Sequence, residues 1–239
     1  MVNIPVIARR ELNTYFLSPV AYIVLTAFAV AHGLLFAIYT GTASFDPNAV
    51  AAFTFWVGLY LMIVAAPIIS MGLLTREMSE GTIEPLMTAP VTDVEVVVGK
   101  FLGALTFSMT LMIPILLECV FLGSTSPLDP GPVASGFLGL YLLTAQFLAV
   151  GLFCSSLTRV QIGAAISTFV VLLSLFFLWL LVRDRTSNIA HVLRYLAPPR
   201  HFGNFVKGIV DTRSLIYFVV TTVLFLFLTV RVLDARKWR

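Results

Sequence analysis

Charged residues are scarce in this sequence. They make up 11% of the 239 residues, whereas 59% are hydrophobic; soluble domains contain about 25% charged residues. This composition excludes a water-soluble fold. A bilayer is spanned by ~20 apolar residues, so the hydrophobic content suffices for about six spans, with little left for a separate enzymatic domain.

Cysteine is also rare. Cys119 and Cys154 lie in different apolar stretches, near opposite ends of their predicted spans, so we expect neither a disulfide between them nor a metal site. The net charge of +3 is spread over short clusters. It does not predict a nucleic-acid partner.

Six apolar stretches without Lys or Arg follow one another along the chain. Each is long enough for a transmembrane helix, and turn-forming residues such as Pro, Gly and Asp separate several of them. We predict an all-α, polytopic membrane protein with a single domain over residues 1–239. The predicted spans are residues 19–40, 50–74, 101–123, 133–157, 160–182 and 214–230.

The distribution of Lys and Arg over the predicted loops indicates the orientation, because cytoplasmic loops carry the excess. The side with both termini holds nine of these residues, whereas the other side holds six, all in its last loop. We predict that both termini are cytoplasmic. The external loops lack a glycosylation acceptor, which fits a bacterial inner membrane.

Residues 1–17 precede the first span and predict an amphipathic helix. The apolar residues between Ile4 and Phe16 share one face, and Arg9 and Arg10 lie elsewhere, a pattern typical of a helix in the inner membrane interface. Glu11 falls within the apolar face. Two interpretations remain open: Glu11 reaches water or a nearby basic residue, or it makes a buried contact with another subunit.

Residues 76–100, between spans two and three, form the most polar predicted cytoplasmic segment. Gly81-Thr82 provides a flexible point and a helix cap, and Pro90 ends the short helix that follows. That helix has an apolar stripe beside Glu84. The pattern favours docking on a partner; an ordinary elbow between spans is the alternative.

Residues 183–213, between spans five and six, predict two short amphipathic helices at the outer surface. Apolar residues repeat at helical spacing from Ile189 to Leu196 and from Phe202 to Val210, with Pro198-Pro199 between them. Two roles remain open: the helices cap the exit of a pathway, or they pack against the outer ends of the spans.

Several of these segments resemble a known family. Glu80-Gly81-Thr82-Ile83-Glu84, followed by Ala89-Pro90 and Gly99-Lys100, looks like the motif of the ABC-2 permeases of ABC transporters. Arg10-Glu11-Leu12 adds to this resemblance. His201-Phe202 and Lys207-Gly208 resemble the gliding-motility-associated branch of the family.

The resemblance implies a coupling helix that docks on a cytosolic ATPase, and two permease chains, identical or paired, around one pathway. ATP and Mg²⁺ would bind to the ATPase, so this chain would be no enzyme and hold no cofactor. The sequence agrees, because Gly99-Lys100 lacks the upstream glycine of a phosphate-binding loop. Export and mechanical work on the cell envelope both remain open. The residues implied in ATPase docking are Glu77, Glu80, Gly81, Thr82, Ile83, Glu84, Leu86 and Pro90.

Three polar residues within the predicted spans are candidates for the pathway. Glu118 is the only acidic residue in a span, and such costly groups predict a function; hydration near the outer surface is the alternative. Gln146 is expected to hydrogen-bond a neighbouring helix, and His32 to be a packing histidine. An ion-coupled secondary transporter that uses Glu118 is the alternative function.

Prolines and glycines predict two further features of the spans. Pro67 and Pro114 are expected to kink spans two and three. Gly99 with Gly103, and the small residues from Gly163 to Ser167, are expected to allow close helix packing.

Overall fold

The computed structural model describes residues 3–42, 46–81, 92–182 and 195–236, which form helices and no β-strand. A short 3₁₀ turn, Met109–Leu111, separates the fifth helix from the sixth. The α-helices in the described residues are α1 (Ile4–Phe16), α2 (Pro19–Thr42), α3 (Pro47–Ser70), α4 (Thr75–Ser79), α5 (Asp93–Ser108), α6 (Met112–Thr125), α7 (Pro130–Leu157), α8 (Gln161–Val182), α9 (Pro198–Val206) and α10 (Thr212–Arg236).

Six helical segments in the described ranges are long and apolar enough to cross a membrane, as predicted. The second and third are each 33 residues long, or about 50 Å at ~1.5 Å per residue. This length exceeds the hydrocarbon thickness of about 30 Å, so both segments extend beyond the membrane. The segments are Pro19–Gly41, Pro47–Ser79, Asp93–Thr125, Pro130–Leu157, Gln161–Leu178 and Thr212–Ala235.

The local sequence explains where several helices begin. α3 and α7 start at a proline, whose missing N–H has no helical partner in the first turn anyway. The preceding Asp46 and Asp129 side chains each accept a 3.0 Å hydrogen bond from the main-chain N–H two residues on. α5 begins with a capping box, in which Thr92 and Glu95 each bind the other's main-chain N–H.

Pro114 explains the break between α5 and α6. It offers no N–H to the carbonyl group of Thr110, and its ring crowds that group. The 3₁₀ turn lies at this point of the chain. Pro67, in contrast, is accommodated within α3, which continues to Ser70.

Among the six candidate spans, those that contain α3 and α7 are the most buried, whereas only a minor part of the spans formed by α2, α8 and α10 is buried. α7 contacts α3, α5, α8, α9 and α10. Cys119 and Cys154 are buried and free, as expected.

The bundle has two distinct ends. At the α1 end, α1 and α4 lie beside the first residues of α2 and the last residues of α3 and α7. At the α9 end, α9 packs on the first turns of α7, where Ser135 Oγ donates a 2.7 Å hydrogen bond to the Phe205 carbonyl oxygen. α9 begins at Pro198-Pro199 and ends at Val206, so it overlaps only the first part of the second helix, which the sequence predicts from Phe202 to Val210. Most of the first predicted helix lies outside the described residues.

Candidate functional site

α1 packs on the first half of α5 at two glycines. A Cβ added at Gly99 would lie 2.8 Å from the Ile7 side chain, and one added at Gly103 would lie 2.7 Å from Glu11 Cβ and 2.9 Å from the Ala8 carbonyl oxygen. Only glycine permits this approach. The close packing predicted at Gly99 and Gly103 is therefore confirmed, with α1 as the partner, and protein covers this part of the apolar face of α1.

Lys100 lies beside this contact and is buried, with 5% of its surface exposed. Its Nζ is 3.1 Å from Glu11 Oε2 on α1 and 2.8 Å from Glu77 Oε1 on α4. A buried ammonium group is costly unless it is paired, and the two carboxylates supply the pairs. We call Glu11, Glu77 and Lys100 the ion triad. For Glu11, pairing with a nearby basic residue is the interpretation that is confirmed.

Tyr15 provides a second link between α1 and the spans. Its hydroxyl donates a 2.7 Å hydrogen bond to the Ile69 carbonyl oxygen in α3, and its ring stacks on Phe107 of α5 with centroids 4.7 Å apart. Burial and, to a lesser extent, the Glu11 carboxylate raise the pKa of Tyr15 well above its usual value, against an opposite effect of Arg76. The hydroxyl therefore stays protonated at neutral pH and remains a donor.

Contacts within the bundle hold the residues on both sides of segment 82–91. Before the segment, Thr75 Oγ donates a 2.9 Å hydrogen bond to the Ser155 carbonyl oxygen of α7, and Glu77 belongs to the ion triad. After the segment come the capping box of α5 and Lys100. Glu80 and Gly81 are exposed, and Gly81 has a φ of 70°, in the left-handed region that favours glycine.

A second polar cluster lies inside the bundle, where His32 and Glu118 meet. His32 is fully buried, its Nδ1 is 2.9 Å from Glu118 Oε1, and its Nε2 is 3.2 Å from the Thr54 carbonyl oxygen. A carbonyl oxygen only accepts, so Nε2 carries a hydrogen. Either Nδ1 is also protonated and donates to the carboxylate, or Glu118 is protonated and donates to Nδ1. In both cases the pair holds one additional proton and joins α2, α3 and α6.

A third cluster links α7 and α10 to the residues around α9. Gln146 Nε2 donates a 3.2 Å hydrogen bond to the Tyr217 hydroxyl, which donates at 2.7 Å to the Leu196 carbonyl oxygen. The hydrogen bond predicted for Gln146 is therefore confirmed. His201 stacks on the Tyr217 ring with centroids 4.1 Å apart, and its Nδ1 is 3.1 Å from Ser214 Oγ. Burial lowers the pKa of His201.

A sequence-family comparison supports one of the function classes considered above. Residues 62–238, well over half of the chain, match the family described as ABC-2 family transporter protein. The chain belongs to the ABC-2 transporter family. It is a multi-pass membrane permease of an ABC transporter. Permeases of this family are membrane components without their own ATPase, and the family generally implies an ABC ATPase partner. No curated protein matches the sequence.

The ABC-2 match begins within α3 and continues through α10. Lys100 and Glu118 lie inside the matched range, whereas Glu11 and His32 precede it. Both ionic clusters therefore join the matched part of the permease to its first two helices.

The docking residues predicted for the ABC-2 permease are partly described. Glu80 and Gly81 are exposed, and the Glu77 carboxylate pairs with Lys100 inside the protein. Arg9 and Arg10 are exposed on α1. In the described ranges, no group of three or more His, Cys, Asp or Glu residues is arranged to hold a metal ion. The predicted residues Thr82, Ile83, Glu84, Leu86 and Pro90 lie outside the described residues.

The sequence analysis did not predict either ionic cluster as a unit. Lys100 is separated from Glu11 by 89 positions, and the sequence marks it only as part of Gly99-Lys100. One available signal is Glu11 itself, since a carboxylate within an apolar face requires a basic partner. For His32 and Glu118, the signal is that two rare intramembrane ionisable residues each need a partner.

Proposed function

We propose that this ABC-2 permease couples ATP hydrolysis by a separate cytosolic ATPase to export across the bacterial inner membrane or to mechanical work at that membrane. The α1 end of the bundle faces the cytosol, as do both termini. The excess of Lys and Arg on this side supports the orientation. ATP and Mg²⁺ bind to the ATPase, and the permease holds no cofactor.

The main support for the proposal, beyond the family, is the ion triad. Glu77 precedes segment 82–91 and Lys100 follows it, so a force applied to the segment by the ATPase reaches both α4 and α5. Because Lys100 also pairs with Glu11 at 3.1 Å, α1 moves with them. The three helices form one connected unit, a contiguous network of the kind that can carry coupling between distant sites.

The docking contact is assigned to the exposed end of α4 and the residues that follow. Glu80 and Gly81 are exposed, and the resemblance places Thr82, Ile83, Glu84, Leu86 and Pro90 in the same contact. Glu77 receives a different role from the one predicted. Its carboxylate is 2.8 Å from Lys100 Nζ, so it positions the segment instead of meeting the ATPase.

The proposed assembly contains two permease chains around one pathway, either two copies of this chain or this chain and a paired membrane subunit. The exposed Arg9 and Arg10 support a position of α1 beside the lipid headgroups. The resemblance around His201-Phe202 supports the gliding-motility-associated branch. Both of these residues are buried in α9, where they serve its packing.

Glu118, His32 and Gln146 are assigned to the pathway within the membrane. The His32–Glu118 pair connects α2 to α6, and opening a pathway between these helices would break it. The shared proton of this pair also favours a second candidate, an ion-coupled carrier. Proton-driven uptake by the permease alone, without any ATPase, would identify that second function.

Co-purification from the native host tests the proposed partner. The full-length protein and its Glu84→Lys variant are isolated in detergent, and the bound chains are identified by mass spectrometry. Lys207→Glu, at an exposed residue of the α9 end, is the charge-reversal control. We expect a soluble ATP-binding chain with the wild type and Lys207→Glu, and its loss from Glu84→Lys at equal expression. Absence of such a chain from the intact wild-type complex would contradict the proposal.

A further inference from the structure

A cavity of about 80 Å³ lies at the α1 end, where several spans begin or end. Its lining includes Ser18 and Ala21 at the start of α2, Ile69 near the end of α3, and Gln161 at the start of α8. Since the ends of transmembrane helices lie at the boundary between hydrocarbon and headgroups, the cavity lies at headgroup depth. This placement depends on the spans alone and not on the ATPase assignment.

Arg76 lines the cavity. A Cβ added at Gly72 would lie 3.5 Å from Arg76 Nη2, so the side chain folds back over the main chain at the cavity wall. Arg76 forms no ion pair with a carboxylate of the described residues. The other charged group in the lining, Glu11, pairs with Lys100. Within the lining of this cavity, Arg76 is therefore the cation that remains available to a ligand.

The lining of the cavity also contains apolar residues. Val20 and Val24 of α2 and Ile68 of α3 contribute to it. Val20 is 45% exposed, so the apolar surface continues from the cavity onto the outer surface of α2, which faces the lipid chains. A cation and apolar residues in one lining, with an apolar surface that leads towards the hydrocarbon, match the two parts of a phospholipid.

We propose that this cavity binds the phosphodiester group of a membrane phospholipid. The Arg76 guanidinium group donates hydrogen bonds to two phosphate oxygens, the geometry that the planar fork of arginine favours. One acyl chain leaves the cavity along Val20. The bound lipid fills the gap between α1 and the starts of α2 and α8 and fixes α1 against the membrane.

Native mass spectrometry of the full-length protein in detergent tests the site. The probe is dioleoyl phosphatidylglycerol; dioleoylglycerol, which lacks the phosphate, and inorganic phosphate, which lacks the chains, are the matched ligand controls. We expect one tightly bound phosphatidylglycerol per chain and weaker binding of both controls. The Arg76→Ala variant should bind the lipid about tenfold more weakly, the effect of losing a charge-assisted hydrogen bond. The matched control is Arg231→Ala, because Arg231 is an exposed arginine near the last residue of α10, at the α1 end of the bundle. This variant should bind the lipid like the wild type.

A second variant separates lipid binding from folding. Val20→Asp adds a negative charge at the exposed mouth of the cavity without removing a buried contact. It should weaken lipid binding, whereas the midpoint of thermal unfolding in detergent should stay close to that of the wild type. Three results would overturn the proposal: equal lipid binding by Arg76→Ala and wild type, equal binding of dioleoylglycerol and phosphatidylglycerol, or inorganic phosphate binding as tightly as the lipid.

Discussion

Replacing Lys100 by methionine would leave the two carboxylates of the ion triad facing each other without a cation. Methionine keeps most of the apolar volume of lysine, so the substitution mainly removes the charge and its hydrogen bonds. Loss of one partner from a buried ion pair costs about 3–5 kcal/mol. The Glu11 and Glu77 side chains are 16% and 18% exposed. Water therefore screens part of their repulsion, and we expect a loss of about 2–3 kcal/mol in the free energy of unfolding.

Thermal unfolding of the purified protein measures this effect. For a chain of this length, about 2–4 °C in Tm corresponds to 1 kcal/mol, so Lys100→Met should lower the Tm by about 4–12 °C. The matched control is Lys207→Met, because Lys207 is exposed at the α9 end. This control should change the free energy of unfolding by less than about 0.5 kcal/mol.

A triple variant separates charge pairing from packing. Adding Glu11→Gln and Glu77→Gln to Lys100→Met removes every charge of the ion triad, and neutral replacement of a whole buried ionic network is often tolerated. We expect the triple variant to regain most of the lost stability. A stabilising role of the ion triad is excluded if Lys100→Met is as stable as Lys207→Met, or if the triple variant is less stable than Lys100→Met.

Three further predictions concern other contacts. Gly103→Ala should lower the free energy of unfolding by about 1–3 kcal/mol, because the added Cβ would meet α1 at 2.7 Å. The control Gly33→Ala, with nothing within 4 Å of the added Cβ, should be neutral or stabilising. Equal effects of the two variants in thermal unfolding would argue against the close contact. Glu118→Ala and His32→Ala should each lower the free energy of unfolding by about 3–5 kcal/mol. A double-mutant cycle should give a coupling energy of at least about 1 kcal/mol between the two side chains, and additive losses would contradict the pairing. Burial lowers the pKa of His201 from 6.5, so the unfolded chain binds the proton more tightly than the folded one. The contribution of His201 to stability should be complete above pH 6.5 and should fall as the pH decreases below that value. In an unfolding series from about pH 7.5 to 5.5, the decline in stability should be weaker for His201→Gln than for the wild type. An unchanged decline would exclude His201 as its cause.

The spans could be predicted because the bilayer imposes one length scale and the sequence marks the ends. Pro19 opens the first predicted span and begins α2, and Pro130, three residues before the fourth predicted span, begins α7. Composition therefore determines the number of spans without any knowledge of tertiary contacts. The break before Pro114 follows from the chemistry of one residue and could be predicted in the same way.

The contact between α1 and α5 could not be predicted, because an apolar face has the same pattern whether it meets lipid or protein. Gly99 and Gly103 predict close packing but do not identify the partner helix. The ion triad depends on that partner, since Lys100 reaches Glu11 only when α1 lies on α5. The His32–Glu118 pair has the same origin, as 86 positions separate two residues that helix packing brings to 2.9 Å.

Site-specific photo-crosslinking tests directly whether a separate ATPase drives this permease through the end of α4. A photoreactive amino acid replaces Glu80, which is exposed beside segment 82–91, or Lys207, which is exposed at the α9 end. Cells of the native host are then irradiated. We expect that the partner chain captured from position 80 contains a nucleotide-binding motif, and that position 207 does not capture this chain. If position 80 captures no nucleotide-binding chain, or if position 207 captures it equally well, coupling to an ATPase through the end of α4 is contradicted.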